Sequence, residues 1–423
     1  MKKLSILLVF TTFFTQILRG QQEQALHFAT DVWQSNFTNP AFISKKKIVV
    51  ALPSLYYNYS SPTASILDLK NNASSLNPTN KVSANLSLQT LGVSFPLTSA
   101  LRLNVHYAAN AYTSGNINRN LVSLYDKGNA QFIGKTVDFA SYLTTSLYNE
   151  WAVGVSYKMQ ESLSLGVRVK YLTGNFYSNV ALNKANIRFE DSNYALNFDN
   201  DIKVTTFGVG SLDSLKSPAS ALTSQKIFTD NTGFAFDLGG TMKLGKLTFN
   251  VSVIDLGAGI NWKENGKSSA TKGTYSYSGL KSDNFFKLDS LSAKSFQDTL
   301  KKIVGLVENT EGPIRQSLPT KIYLSSTYEL SEKIRLGALI YTEMDAIDTR
   351  FGFVANANYK MSELLTVGGT LGLRNGSFDN LGLSAVAKLG PVQVYAVTDN
   401  VIGAFKPLEA KNSNARLGIN LVF

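Results

Sequence analysis

Ala415-Arg-Leu-Gly-Ile-Asn-Leu-Val-Phe423 is the stretch whose reading decides the fold. Ala415, Leu417, Ile419, Leu421 and Phe423 are apolar, and Arg416, Gly418, Asn420 and Val422 lie between them. A period of two is the mark of a strand with one oily face. Termini usually fray in water, so a soluble sheet has little use for a last strand that stops on its most hydrophobic residue. A strand that closes a barrel in lipid does, with Phe423 at the membrane interface.

The same alternation recurs upstream. Trp151, Val153, Val155 and Tyr157 alternate with Glu150, Ala152, Gly154, Ser156 and Lys158, and Leu163, Leu165, Val167 and Val169 with Ser164, Gly166, Arg168 and Lys170. Near the second strand the apolar parity slips between Leu88 and Leu91, which reads as a bulge at Gln89-Thr90. Four segments repeat one turn pattern, an outward aromatic, a short polar turn and alternating aliphatics: Phe95 to Leu103, Tyr157 to Leu165, Tyr328 to Leu336 and Tyr359 to Val367. Shorter versions sit at Leu244-Gly245-Lys246 and Leu389-Gly390-Pro391. Six short turns on the periplasmic side imply a transmembrane antiparallel β-barrel of about 14 strands. The strands are expected near 47–59, 82–95, 101–113, 144–158, 163–180, 233–243, 247–261, 318–329, 334–344, 349–360, 364–374, 380–389, 392–399 and 414–423. A soluble sandwich also alternates; the export signal, the terminal Phe and the contrast between short turns and long loops together count against it.

Residues 1–20 read as a secretory signal, with Lys2 and Lys3 before the apolar stretch Leu4 to Leu18 and the small Gly20 at its end. Lys2, Lys3 and Arg19 leave with it, which takes the formal charge from +11 to +8. Export makes nucleic acid a poor counter-charge; outer-membrane lipid and lipopolysaccharide are better ones. The chain has no cysteine, which excludes disulfides and thiolate metal sites.

Three stretches break the rhythm of 47–423. Residues 21–46 hold Asn39, Pro40, Ala41 and Phe42 without alternation, a candidate plug for the lumen or a periplasmic lead-in. An insertion near 183–231 carries a weak hairpin (Ala185–Phe189 with Tyr194–Phe207) and a Ser-rich piece. Another, near 263–317, has helical amphipathic spacing from Asp283 to Asn309. Both insertions fall on the extracellular side.

Charges must avoid the lipid face, where each would cost about 2–4 kcal/mol at mid-depth. Parity therefore turns Arg102, His106, Arg168, Lys170, Asp237, Arg335, Glu343 and Arg374 toward the lumen, with Lys158, Lys243, Lys360, Lys388, Arg416, Glu150 and Glu329 on the same face. An excess of inward cations suits anionic solutes if the lumen is open; if it is closed, the same residues form a buried ion-pair network. Catalysis is poorly supported. The chain has two histidines, His27 and His106, neither with an acidic neighbour in sequence, and position 108 is Ala where a barrel phospholipase has Ser. No metal motif, Walker loop or dinucleotide fingerprint is present, and no cofactor is expected. Asp191, Asp199 and Asp201 can hold a loop calcium, but solvated loop acids are the commoner case.

Asn39-Pro40-Ala41-Phe42, Asp399-Asn400-Val401 and the final Asn414 to Phe423 together resemble uncharacterised outer-membrane barrels of gliding and gut-type Gram-negative bacteria. These are similar in outline to the long-chain fatty-acid transporter superfamily and to PorV- and PorP-type components of type IX secretion. The resemblance implies a fourteen-strand outer-membrane barrel and, because its relatives divide between hydrophobic-compound passage and assisting secretion, no substrate; the expected role is a non-enzymatic passive conduit or binding barrel for small amphipathic or hydrophobic compounds, with a scaffold subunit of an envelope complex as the alternative. It also implies that Leu417, Ile419, Leu421 and Phe423 are the assembly signal read by the barrel-assembly machinery.

Overall fold

A computed structural model of the chain describes residues 23–192, 195–208, 225–277, 307–345, 349–374 and 377–423. The expected signal, the Ser-rich piece at 209–224 and residues 278–306 lie outside them. Fourteen antiparallel strands close into a barrel. They are β1 (Val49–Ser60), β2 (Thr79–Pro96), β3 (Leu101–Asn118), β4 (Ser141–Gln160), β5 (Leu163–Phe189), β6 (Thr232–Leu244) and β7 (Leu247–Trp262). The other half is β8 (Thr320–Glu329), β9 (Ile334–Met344), β10 (Thr349–Lys360), β11 (Leu365–Arg374), β12 (Ser377–Leu389), β13 (Val392–Thr398) and β14 (Asn412–Val422). Each pairs with the next, and β14 returns to β1 through Val49↔Val422 and Tyr56↔Arg416. Closure leaves no wall strand with an unpaired edge, the condition for a sheet in hydrocarbon.

Burial along the strands has period two but is inverted relative to a soluble protein. Leu55, Val153, Val167, Phe236, Val251, Leu324, Ile340, Phe353, Leu383 and Leu417 are exposed, whereas Ser156, Asp237, Ser252, Ser325 and Asn420 are buried. An apolar exterior around a polar interior is stable only when lipid meets the outside. Tyr157, Tyr328 and Tyr359 stand exposed beside the short turns at 161–162, 330–333 and 361–364. Gly245 (φ 60°) and Gly390 (φ 62°) open two-residue hairpin turns, where a left-handed residue matches the twist of the strands. The β2–β3 ladder shifts register between Gln89 and Leu91, at the parity slip read from the sequence.

At the opposite end the strands run past the membrane. β5 continues to Phe189 and pairs with Leu196–Gly208, so the weak hairpin is an extension of the wall. Lys267–Tyr277 pairs with that strand, and Val307–Thr310 pairs with Lys267 to Ala270. The helix expected over Asp283 to Asn309 is therefore corrected at its end. Residues 307–309 are strand, because an open strand edge beside them offers hydrogen bonds that outweigh local spacing; the rest lies outside the described residues. Short helices decorate the loops: α1 (Gln24–Phe28) inside the barrel, and α2 (Ile66–Asn71), α3 (Arg119–Lys127) and α4 (Val401–Phe405) at the long-loop end. No helix among the described residues is long and apolar enough to cross a membrane.

Candidate functional site

Residues 23–44 occupy the short-turn half of the lumen beside a cavity of about 800 Å³ lined by Asp31, Lys46, Arg335, Lys360 and Lys388, and the wall supplies both caps of α1. The Asp399 carboxylate accepts from the backbone N–H of Gln24 (3.3 Å) and Ala25 (2.6 Å), compensating orphan donors at the positive end of the helix. At the other end the Phe28 carbonyl accepts from Arg335 and Asn358, both at 3.1 Å. His27 spans the interior, with Nδ1 2.9 Å from the Thr38 hydroxyl and Nε2 2.8 Å from the Ser325 hydroxyl. Its ring stacks on Tyr323, and burial pushes its pKa down to about 3, so the imidazole is neutral. Farther along, Trp33 donates to Asn104 (2.9 Å), Gln34 exchanges bonds with Asn420, and Ser156 and Ser252 donate to the carbonyls of Pro40 and Thr38. Asn39 donates to the Gly240 and Val251 carbonyls, Ala41 is buried, and the Phe42 carbonyl accepts from Asn36. Gly166 and Gly337 leave the room: a Cβ there would strike the Pro40 backbone and the Phe28 ring.

Past this plug lies a floor of buried charge. Arg168 pairs with Asp237 (2.8 Å) and reaches the Asn36 carbonyl. Lys170 sits 2.6 Å from Asp255, 3.2 Å from Asp237 and 3.8 Å from Glu150. Lys321 also holds Asp255 (3.1 Å), and His106 Nε2 lies 2.9 Å from Glu150. Higher up, Glu343 joins Arg350 (3.1 Å) and the Tyr341 hydroxyl (2.9 Å). Arg102 lies lower, bonded to Ser94 and to the Lys46 and Lys47 carbonyls. Arg416 pairs with Glu23 beside the plug. Lys158, Lys243 and Lys360 instead form half-exposed rim pairs with Glu161, Glu329 and Glu363. The Arg374 side chain lies outside the described residues.

Above the floor the inward side chains turn apolar. Tyr112, Leu172, Tyr177, Phe207, Ile260, Trp262 and Leu318 pack as one cluster, with Tyr148 against it. A cavity of about 20 Å³ lies between Tyr112, Tyr148, Leu172 and Leu318, bordered below by Glu150, Asp255 and Lys321. Beside it the β6–β7 ladder shifts register twice, at Phe234/Phe236 and Phe236/Leu238. Asp255 adopts φ 61° at this irregularity and turns into the lumen, away from the face its parity assigns.

Among solved structures, the chain is similar to a Pseudomonas aeruginosa FadL homologue, at 12% identity and a TM-score of 0.46 over 92% of this chain and 91% of that one. It is also similar to a deletion mutant of the monoaromatic hydrocarbon channel TodX (11% identity, TM-score 0.48, 97% and 98% covered). A third is the Pseudomonas putida toluene transporter TodX (10% identity, TM-score 0.40, 96% and 98% covered). No curated protein matches the sequence. The family described as "Family of unknown function (DUF5723)" matches residues 40–399. The chain belongs to DUF5723. In this DUF5723 member the matched span begins at Pro40 in the plug and ends at Asp399, the residue that caps α1.

The lumen of this DUF5723 chain holds a His–Glu pair, His106 with Glu150. Nδ1 of His106 has no hydrogen-bond partner among the described residues, and its ring packs against Phe37 (centroids 4.7 Å apart) and Trp33. A side-chain nucleophile activated by this pair would sit on that nitrogen, and none stands there among the described residues. Nor does any group of three or more His, Asp or Glu among them fit a metal ion. Two of the loop acids weighed for calcium are paired instead, Asp199 with Lys184 and Asp201 with Lys272. Sequence reasoning missed Asp255 and Lys321. A signal for Asp255 existed: it shares parity with Phe249, Val251 and Val253, and a carboxylate on that lipid face requires a bulge.

Proposed function

We propose that this barrel resides in the outer membrane and binds and passes small hydrophobic or amphipathic compounds, without catalysing a reaction. One observation carries the reading, the apolar cluster of Tyr112, Leu172, Phe207, Ile260, Trp262 and Leu318 inside the wall, with a small cavity beside it. A water-filled pore needs polar lining at that depth, whereas aromatic and aliphatic walls recognise apolar surface. The charged floor below gives an amphipathic compound polar groups to meet, and the interrupted β6–β7 ladder adjoins the cluster. The apolar cavity is small and the plug lies beneath it, so in this reading passage requires rearrangement. Lipid and lipopolysaccharide are the proposed surroundings, and Leu417, Ile419, Leu421 and Phe423 the proposed assembly signal.

The test is titration of the detergent-solubilised protein with monoaromatic and alkyl-chain probes, read by tryptophan fluorescence, followed by probe flux into proteoliposomes. Saturable quenching that is lost in Leu172→Arg is expected. Absence of saturable binding, together with a stoichiometric envelope protein recovered from the same membranes, would favour the competing scaffold proposal, including a secretion-machine subunit.

A further inference from the structure

Outside the barrel, at the long-loop end, three chain segments form a shoulder over the seam where the last strand meets the first. The Tyr57 and Tyr59 side chains leave the outer face of β1, yet Tyr57 is half-buried and Tyr59 buried. The Tyr57 hydroxyl lies 2.9 Å from Ser413 Oγ and reaches the Ala404 carbonyl; the Tyr59 hydroxyl donates to the Ala64 carbonyl at 2.8 Å. Ser413 in turn donates to the Gly403 carbonyl (2.6 Å), and a Cβ at Gly403 would strike the β14 backbone. Thus α4 lies against the exterior of the wall. Leu67 N–H donates to the Leu408 carbonyl (2.9 Å), which joins α2 to the same shoulder.

The outward side of this shoulder is apolar. Phe405 is 84% exposed, Ile402 68% and Leu408 56%, with Leu67 beside them. Exposed apolar residues grouped in one patch mark a surface that meets an apolar neighbour. We propose that the shoulder is a membrane foot: α4, with Leu408 and α2, sits in the interfacial layer of the bilayer with its apolar side chains turned to lipid.

Continuity with the lipid-facing wall supports this occupant. Tyr57 pairs with Ala415, and two residues farther along β1 the exposed Leu55 pairs with the exposed Leu417. Two strand residues span about 7 Å, so the shoulder begins within the thickness of a headgroup layer above the belt. Lys70 and Lys411 lie in its segments, where Lys406 is paired with Glu409 (2.9 Å) and the Asp68 carboxylate is engaged by Ser65, Ser75 and Asn72. Apolar side chains flanked by lysines are the composition of an interfacial amphipathic element. The consequence is asymmetry: the hydrophobic band stands taller at the β14–β1 seam than elsewhere.

The inference rests on the reading of the wall as membrane-spanning, and one experiment separates the two. The chain has no cysteine, so Phe405→Cys and Leu417→Cys each take a single environment-sensitive fluorophore at an exposed position. Both proteins are reconstituted in vesicles of phosphatidylglycerol and phosphatidylethanolamine. Quenching by headgroup-proximal nitroxide lipids is compared with quenching by aqueous iodide. The expected result is several-fold stronger lipid than iodide quenching at both sites, with shallow nitroxides most effective at position 405. Lipid quenching at 417 with iodide quenching at 405 overturns the foot alone, as does shielding of 405 from both quenchers, which would mean a protein covers it. Iodide quenching at both overturns the membrane reading itself.

Discussion

Asp399 caps a helix whose first residue lies 375 positions away in the chain, and such a cap contributes about 0.5–2 kcal/mol. Asp399→Ala should therefore loosen α1 without opening the wall, seen as faster hydrogen exchange at Gln24 to Phe28 and unchanged exchange in β8. His27 makes the plug sensitive to acid. Its folded pKa is about 3 against an ordinary 6.5, so the neutral form is favoured in the folded state. The stability it contributes is present above pH 6.5 and is lost as pH falls from 6.5 toward 3, at about 1.4 kcal/mol per pH unit. Proteolysis within residues 23–44 should rise between pH 7 and pH 4.5, and His27→Gln should flatten that rise. In the floor, Lys170→Met leaves Asp255 and Asp237 with fewer counter-charges. Removing one partner of a buried network costs about 3–5 kcal/mol, to be read as a lowered urea midpoint for the detergent-folded barrel. Residue contacts of this kind were the least legible part of the sequence. Glu150 lies 44 positions from His106 and shares no local motif with it, so only the register of β3 against β4 brings them together.

At the level of elements, the strands were legible because lipid on one side and a polar lumen on the other enforce strict alternation. The expected spans 334–344 and 349–360 coincide with β9 and β10. Alternation is silent wherever the backbone leaves period two. The bulge in β7 reversed the face of Asp255, and the segment at 23–44, which has no period, takes its place from side-chain pairings with the wall. The strand at Val307–Thr310 escaped for a related reason, since a neighbouring edge decided its conformation. The same geometry gives an element-scale expectation. Gly337 faces Phe28 with no room for a side chain, so Gly337→Leu should push α1 from its seat while leaving the β8–β9 and β9–β10 ladders intact. Planar-bilayer recordings should then show conductance steps larger than those of the unaltered protein; equal steps would mean that α1 does not limit the lumen.

For the whole molecule, polarity is arranged in layers. The outside is a lipid-facing belt, the short-turn half of the lumen is occupied by the chain's own N-terminal segment, and a buried ion network separates that plug from an aromatic cluster. This order suits a compound that meets apolar walls first and charge second. The cavity at the floor of the cluster is bordered by both kinds of group, with Tyr112 and Leu172 facing Glu150 and Lys321. The most direct measurement is anomalous diffraction from crystals of the detergent-purified protein soaked with a bromine-bearing aromatic compound. A bromine peak in contact with Leu172 and Trp262, inside the closed wall, is expected. Bromine confined to the detergent belt, with the cluster unchanged at saturating compound, would contradict the proposal that this barrel takes hydrophobic molecules into its lumen.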